Sequence, residues 1–334
     1  MQVGLKLFAE LHSPEELVHH AILAEQAGFD FVETSDHFHP WLNSSDDMPL
    51  AGHAGFAWSL LGMIAARTQR IRLGTGVTCP TMRYHPAIIA QAAATMGILS
   101  EGRFFLGIGS GERLNEHIVG RGWNSVPVRH EMLCEALQII TKLWSGGFHS
   151  FHGRYLQLED ARVYDLPDEL PEILVAAGGP KAAGIAAQFG GMFTTAPDAG
   201  LVRTHRENGG AGTRFGEMFV SYDPVSKEAG LKSAKLSSRW ALLGVVADSE
   251  IPRASVFESA TEFIQADDVE SIVVAGPDPA AYLAQAKKYA DAGFDGVSLC
   301  NGSSDMDRFI EFAGEHLIPA IHTCGTVALS SAGG

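Results

Sequence analysis

A single (β/α)8 barrel is the fold this chain predicts, on three observations. Short β-rich runs alternate with helical ones along most of its length. No linker-like change of composition divides its 334 residues, a length that suits one such barrel with inserted loops. Polar, chemistry-bearing residues gather just past strand ends, where parallel α/β proteins place their sites.

The elements follow in order. Residues 3–8 alternate as a strand, and Ser13 and Pro14 supply the N-cap and first position of a helix over 14–28, followed by a strand at 30–34. Residues 71–75 and 86–99 form the next strand–helix pair, then 103–108 and a long amphipathic helix over 129–144. The alternation between Phe148 and Asp165 breaks this rhythm and predicts an inserted β-hairpin. The beat resumes with a strand at 172–176 and a helix from Pro180. Later strands are predicted at 217–222, 271–275 and 296–300, with helices over 225–240, 278–292 and 305–318. Stretches 197–215 and 244–266 follow neither period and are expected as loops over the barrel mouth. One domain over 1–320 is expected, and 321–334, small and polar, as a disordered tail.

With 46% hydrophobic and 19% charged residues the chain can bury a large core, which excludes disorder for most of it. A net charge of -15 argues against a nucleic-acid surface and against anionic membranes. Cys79, Cys134, Cys300 and Cys324 lie far apart with no Cys-x-x-Cys spacing, so neither a zinc ribbon nor a disulfide framework is suggested. No run of about eighteen apolar residues occurs and no signal-like start precedes the first strand. A cytoplasmic, soluble protein is expected.

Past the second strand, Ser35-Asp36-His37-Phe38-His39-Pro40-Trp41 places a carboxylate, two imidazoles and an indole together. This composition suits a site better than a core. His37 and His39 would share a side of an extended segment, but further ligands are lacking and no metal is expected. Past the fourth strand, Gly107-Ile108-Gly109-Ser110-Gly111-Glu112 has Glu112 where a dinucleotide fingerprint needs its third glycine. These glycines suit a backbone approaching a flat ring, with Glu112 aimed into the mouth; a solvated turn glutamate is the plain alternative. Ala176-Ala177-Gly178-Gly179-Pro180 brings free amides to a helix start, which suits an anion or an ordinary tight turn. The run from Gly74 to Pro86 ends the third strand in a long polar loop.

Together these motifs resemble the bacterial-luciferase-like superfamily, in the branch of deazaflavin-dependent glucose-6-phosphate dehydrogenases and secondary alcohol dehydrogenases that use coenzyme F420. The resemblance rests on residues 35–41, 81–86 with Ala90-Gln91, 109–116 and 176–180. It implies that His37 acts on a substrate hydroxyl while a hydride passes to C5 of F420. It further implies that Glu112 supplies a proton to the ring nitrogen or balances charge there, and that Trp41 stabilises the substrate. Asp36, Gly76, Val77, Cys79, Gly109, Ser110, Gly111 and Asn115 would line the cofactor, with Ala176, Ala177, Gly178 and Gly179 at its phosphodiester. A cis peptide at Gly76-Val77 and a homodimer are likewise implied.

Where sugar-phosphate enzymes of that branch place basic clamp residues, this chain has Pro197-Asp198-Ala199-Gly200 and Val269-Glu270-Ser271-Ile272. An acid facing a dianion is repulsive, so a neutral alcohol or ketone is expected rather than glucose 6-phosphate, with Arg203, Arg206 and Arg253 as remaining cations. An FMN-dependent monooxygenase and a non-catalytic ligand-binding barrel are the alternatives.

Overall fold

The computed structural model describes residues 1–44 and 51–324. Its strands are β1 (Gln2–Leu7), β2 (Phe31–Thr34), β3 (Arg72–Thr75), β4 (Phe104–Ile108), β5 (His149–His152), β6 (Gln157–Ala161), β7 (Glu172–Ala176), β8 (Gly191–Thr194), β9 (Arg214–Ser221), β10 (Val274–Ala275) and β11 (Gly296–Asn301). Eight of them, β1-β2-β3-β4-β7-β8-β9-β11, close into a parallel barrel through the β8–β9 and β11–β1 pairings. Leu5 of β1 sits between Val32 of β2 and Leu299 of β11. Strands β5 and β6 form the inserted antiparallel hairpin.

Local chemistry explains the helix positions. Pro14–Ala27 starts at a capping box, the Glu16 amide donating to Ser13 Oγ at 3.3 Å and the Ser13 amide to Glu16 Oε2 at 2.8 Å, and stops at Gly28 with φ +93°. Pro86–Leu99, Pro180–Phe189 and Pro279–Ala292 each open on a proline, whose missing N–H costs nothing in a first turn. The apolar faces of these helices pack on the outside of the strands in one continuous core.

Five expectations need correction. The sixth barrel strand is β8, four residues that follow the Pro180–Phe189 helix directly, and the 217–222 run belongs to the seventh, β9. The apolar 271–275 run pairs only at its end, Val274 and Ala275 lying beside Val220 and Ser221 outside the closed ring. Stretch 197–215 is no loop: Asp198 caps a helix over Ala199–Glu207, accepting from the Gly200 and Leu201 amides, and Arg214 already starts β9. Stretch 244–266 does lie at the mouth but carries short helices, Val245–Asp248 and Ala254–Thr261. The expected tail begins too early, because helix Ile318–Thr323 buries Ile321, and the Met1 amino group donates to the His322 carbonyl at 3.2 Å. Residues 325–334 of that tail lie outside the described residues.

The barrel interior is layered. Phe31, Phe105, Leu174, Phe193 and Phe215 fill one level, with Phe31 and Phe215 stacked at 4.2 Å between centroids. Glycines face them, since a Cβ on Gly4 would lie 2.1 Å from the Phe31 ring and one on Gly74 2.4 Å from Phe105. Above this level Lys6, Glu33 and Glu217 form an ionic layer, and above that the strand ends open into the mouth. Because the phenyl layer is fully buried and closely packed, Phe215→Ala is predicted to cost about 3–5 kcal/mol in urea unfolding. A cost below about 1 kcal/mol would show that the layer carries no packing energy.

Candidate active site

His37 follows β2 and is held from both sides. Its Nδ1 lies 3.1 Å from Glu10 Oε1 and its Nε2 3.5 Å from Glu112 Oε2, so the two groups expected to converge do so. Trp41 lies beside it, ring centroids 5.0 Å apart, and stacks in turn on Trp240 at 4.1 Å and 6°. Phe257 closes the other edge of Trp41 at 5.0 Å.

Burial pulls the His37 pKa below the usual imidazole value, with Glu10 opposing the shift. Glu112 is pushed up to about 8, first by burial and then by the Asp248 and Glu10 carboxyls. Burial alone raises Asp248 to about 7. An imidazole held neutral therefore faces a carboxylic acid held protonated, the division of labour that acid–base chemistry near pH 7 requires.

Several expected residues also tie the mouth loops together. Both Asp36 oxygens are engaged: Arg83 reaches Oδ1 at 3.0 Å, Tyr84 donates to it at 3.1 Å, and the Thr78 hydroxyl donates to Oδ2. Asn115 Oδ1 accepts from the amides of Phe38 at 2.9 Å and His39 at 3.2 Å, tying the β4 loop to the β2 loop. His39 turns away from His37, its Nδ1 2.8 Å from the Leu114 carbonyl, so the pair shares no ligand. Arg83 links the loops again through Glu116, which accepts its amide at 2.8 Å.

The expected ring-binding backbone is brought together at the strand ends. The Gly76-Val77 peptide is cis. A Cβ on Gly109 would meet Val77 at 2.8 Å and Ala176 at 3.4 Å, and one on Gly111, at φ +80°, would meet Cys79 Sγ at 2.6 Å. Ser110 lies between these glycines, half-buried, while Ala177 is buried and donates its amide to Phe193 at 2.8 Å. Gly179 is extended, opens the Pro180–Phe189 helix and has nothing within 4 Å of its Cβ position. Val245 lies against Gly178, 3.3 Å from where its Cβ would be.

Beside His37 a cavity is walled by Phe8, Leu11, Trp41, Leu42, Ala51, Leu236 and Trp240, with Glu10, Ser237 and Ser238 as its polar lining. Sequence reasoning missed Glu10 and Trp240. Glu10 lies just past β1, the placement that singled out His37, and that rule would have found it; Trp240 sits in a short 3-10 turn, Arg239–Leu243, that carries no periodic signal.

Comparison with known proteins matches this architecture. Residues 1–208 match the model of the family described as luciferase-like monooxygenase. The F420-dependent glucose-6-phosphate dehydrogenase of Amycolatopsis mediterranei (strain U-32) is 35% identical over 342 residues, covering 97% of this chain and 100% of that protein. That of Microbacterium testaceum (strain StLB037) is 33% identical, with 96% and 97% covered. Among solved structures, an F420-dependent secondary alcohol dehydrogenase with an F420-acetone adduct superposes with TM-score 0.87 at 27% identity, covering 96% of this chain and 98% of that one. The F420-dependent tetrahydromethanopterin reductase of Methanopyrus kandleri shares the fold at TM-score 0.77 and 19% identity, with 96% and 99% covered. Among the described residues no helix is long and apolar enough to cross a membrane. The chain belongs to the luciferase-like family, in its branch of F420-dependent oxidoreductases.

Proposed function

We propose that this protein is an F420-dependent dehydrogenase or reductase that exchanges a hydride between a neutral carbinol and the deazaflavin. One observation carries the reading: at the strand-end mouth His37 lies between the Glu10 and Glu112 carboxyls, with the Trp41 ring beside it. The residues fit the cofactor in that Gly109 and Gly111 let the β4 end close onto Val77 and Cys79, where a side chain would clash, and Gly179 leaves open space at its Cβ position. Gly178 and Gly179, at a helix start, suit a phosphodiester. Val245 packs against Gly178 at this helix start. When bound, F420 supplies C5 as the carbon that takes or gives the hydride.

The chain's own residues handle the proton. In alcohol oxidation His37 Nε2 takes the hydroxyl proton; the His39 carbonyl, 3.3 Å from Nδ1, orients the ring, and Glu10, 3.1 Å from Nδ1, stabilises its cationic form. Glu112 holds a proton for the developing charge on the ring nitrogen. Trp41, braced by Trp240 and Phe257, walls the carbinol against the mouth.

Glucose 6-phosphate, named for the relatives, fits poorly here. The carboxyls of Glu10 and Glu112 flank His37, and acids there repel a dianion. Asp198 caps its helix, and Glu270 is paired with Lys227 at 2.5 Å. Arg206 donates to the Gly293 carbonyl at 3.4 Å, at the end of the barrel away from the mouth.

With F420 supplied, kcat/KM for neutral secondary alcohols should exceed that for glucose 6-phosphate at least ~100-fold; the reverse ranking rejects the neutral-substrate reading. Consumption of oxygen with reduced FMN in place of F420 turnover would favour the monooxygenase instead. His37→Ala and Glu112→Gln should each lower kcat by about 10²-fold with F420 affinity kept within about tenfold, as loss of a proton-transfer group does.

The pH profile follows from the two shifts. Oxidation needs neutral His37, present above its lowered pKa, and protonated Glu112, present below about 8, so kcat/KM should rise through the first and fall near the second. Glu112→Gln should remove the alkaline limb, and an unchanged limb assigns it elsewhere. In the cofactor-free protein, NMR should find His37 titrating below the usual ~6.5, and Glu10→Gln should lower it further by removing a stabilising charge. A value at or above ~6.5 contradicts the buried clamp.

A further inference from the structure

Directly beneath the mouth, Lys6 is the cation of a closed ionic group that the proton chemistry above does not use. Its Nζ donates to the Gly76 carbonyl and, at 2.6 Å, to Glu217 Oε1, and lies 3.8 Å from Glu33 Oε2. Lys6 is nearly inaccessible and Glu33 wholly so. Cys300 from β11 and the Phe8 ring, 6.0 Å from Nζ, complete its surroundings. Burial works against the ammonium, but Glu217 and Glu33 outweigh it and hold its pKa above the ordinary lysine value.

We propose that Lys6 is a positioning residue for the cofactor: braced by Glu217, it fixes the Gly76 carbonyl and so sets the 76–79 backbone against which the deazaflavin ring lies. The rest of that segment is tied to its neighbouring strands. Gly76 N donates to Thr34 O at 2.8 Å, Thr78 N to Gly107 O at 2.9 Å, and Gly109 N to Thr78 O at 2.9 Å. The Gly76 carbonyl instead turns inward, and Lys6 is the donor that meets it. From below, Gly76 rests on Glu33, whose Oε2 would lie 1.9 Å from a Cβ at that position. An ammonium pinned by a carboxylate on β9 is a stiffer donor than water, and its charge reaches further: it opposes the upward shift of Glu112 and adds to the downward shift of His37.

The inference rests on the reading that F420 lies at this mouth, and the test separates the two. Lys6→Met leaves Glu217 buried without its cation, so instability alone is a possible cause of any defect. Lys6→Met combined with Glu217→Gln removes both charges and serves as the control. F420 dissociation constants, read from its fluorescence, and thermal midpoints are measured for the parent and both variants. Lys6→Met should weaken F420 binding at least ~10-fold, and the double variant should recover the thermal midpoint but not the affinity. Recovery of affinity together with stability reduces Lys6 to a charge partner and overturns the proposal, as does parental affinity in Lys6→Met. If the parent leaves F420 fluorescence unchanged, the mouth reading fails and the Lys6 assignment falls with it.

Discussion

The volume inside a barrel of this size must be filled by side chains, and how this chain divides that volume governs everything above it. Phe31, Phe105, Leu174, Phe193 and Phe215 take one level, admitted by glycines at positions 4 and 74 on neighbouring strands. That apolar floor leaves the next level with no water to solvate charge, so Lys6 is retained only because Glu217 meets it at 2.6 Å with Glu33 beside it. One ammonium between two carboxyls favours a single negative charge, and Glu33 accordingly rises to about 7 through burial and the presence of Glu217, against the pull of Lys6. The mouth thus stands on a rigid base of low dielectric.

The same dryness sets the chemistry at the mouth. His37 and Glu112 are 3.5 Å apart, yet burial moves both toward their neutral forms, one downward and one upward. In water such a pair would settle as imidazolium and carboxylate; here a base and an acid coexist. Glu10 and Asp248 tune the pair in different ways, Glu10 by touching the imidazole and Asp248 by adding a second acid near Glu112 from the 244–250 segment. That segment is fastened by Ser249, whose carbonyl accepts from the Arg113 amide at 3.0 Å and whose hydroxyl meets the Arg129 guanidinium at 3.1 Å. The segment that packs at the mouth is therefore also one that raises the proton affinity of Glu112.

Where one residue's chemistry dictates local structure, the sequence was readable. Ser13, Pro14 and Gly28 bracket a helix by capping alone, and the strand-end rule picked out His37 and Glu112, which do meet. The missed features lack a local signal or depend on distant partners. Helix Ala57–Arg67 starts at Phe56 with no side-chain cap, and β8 is four residues with no room to show a period. Asp36 and Asn115, expected at the cofactor, also join loops 42 to 77 residues apart, ties that no local spacing shows. Trp240 reaches Trp41 across most of the chain, and no spacing rule spans that distance.

Deuterium transfer tests the central claim most directly. A secondary alcohol labelled at its carbinol carbon is incubated with the protein and F420, and the recovered cofactor is weighed by mass spectrometry. One deuteron per molecule of reduced F420 is the expected result, with the label retained in aqueous buffer. Unlabelled F420, or an alcohol left intact while glucose 6-phosphate is oxidised, contradicts a site built for a neutral carbinol.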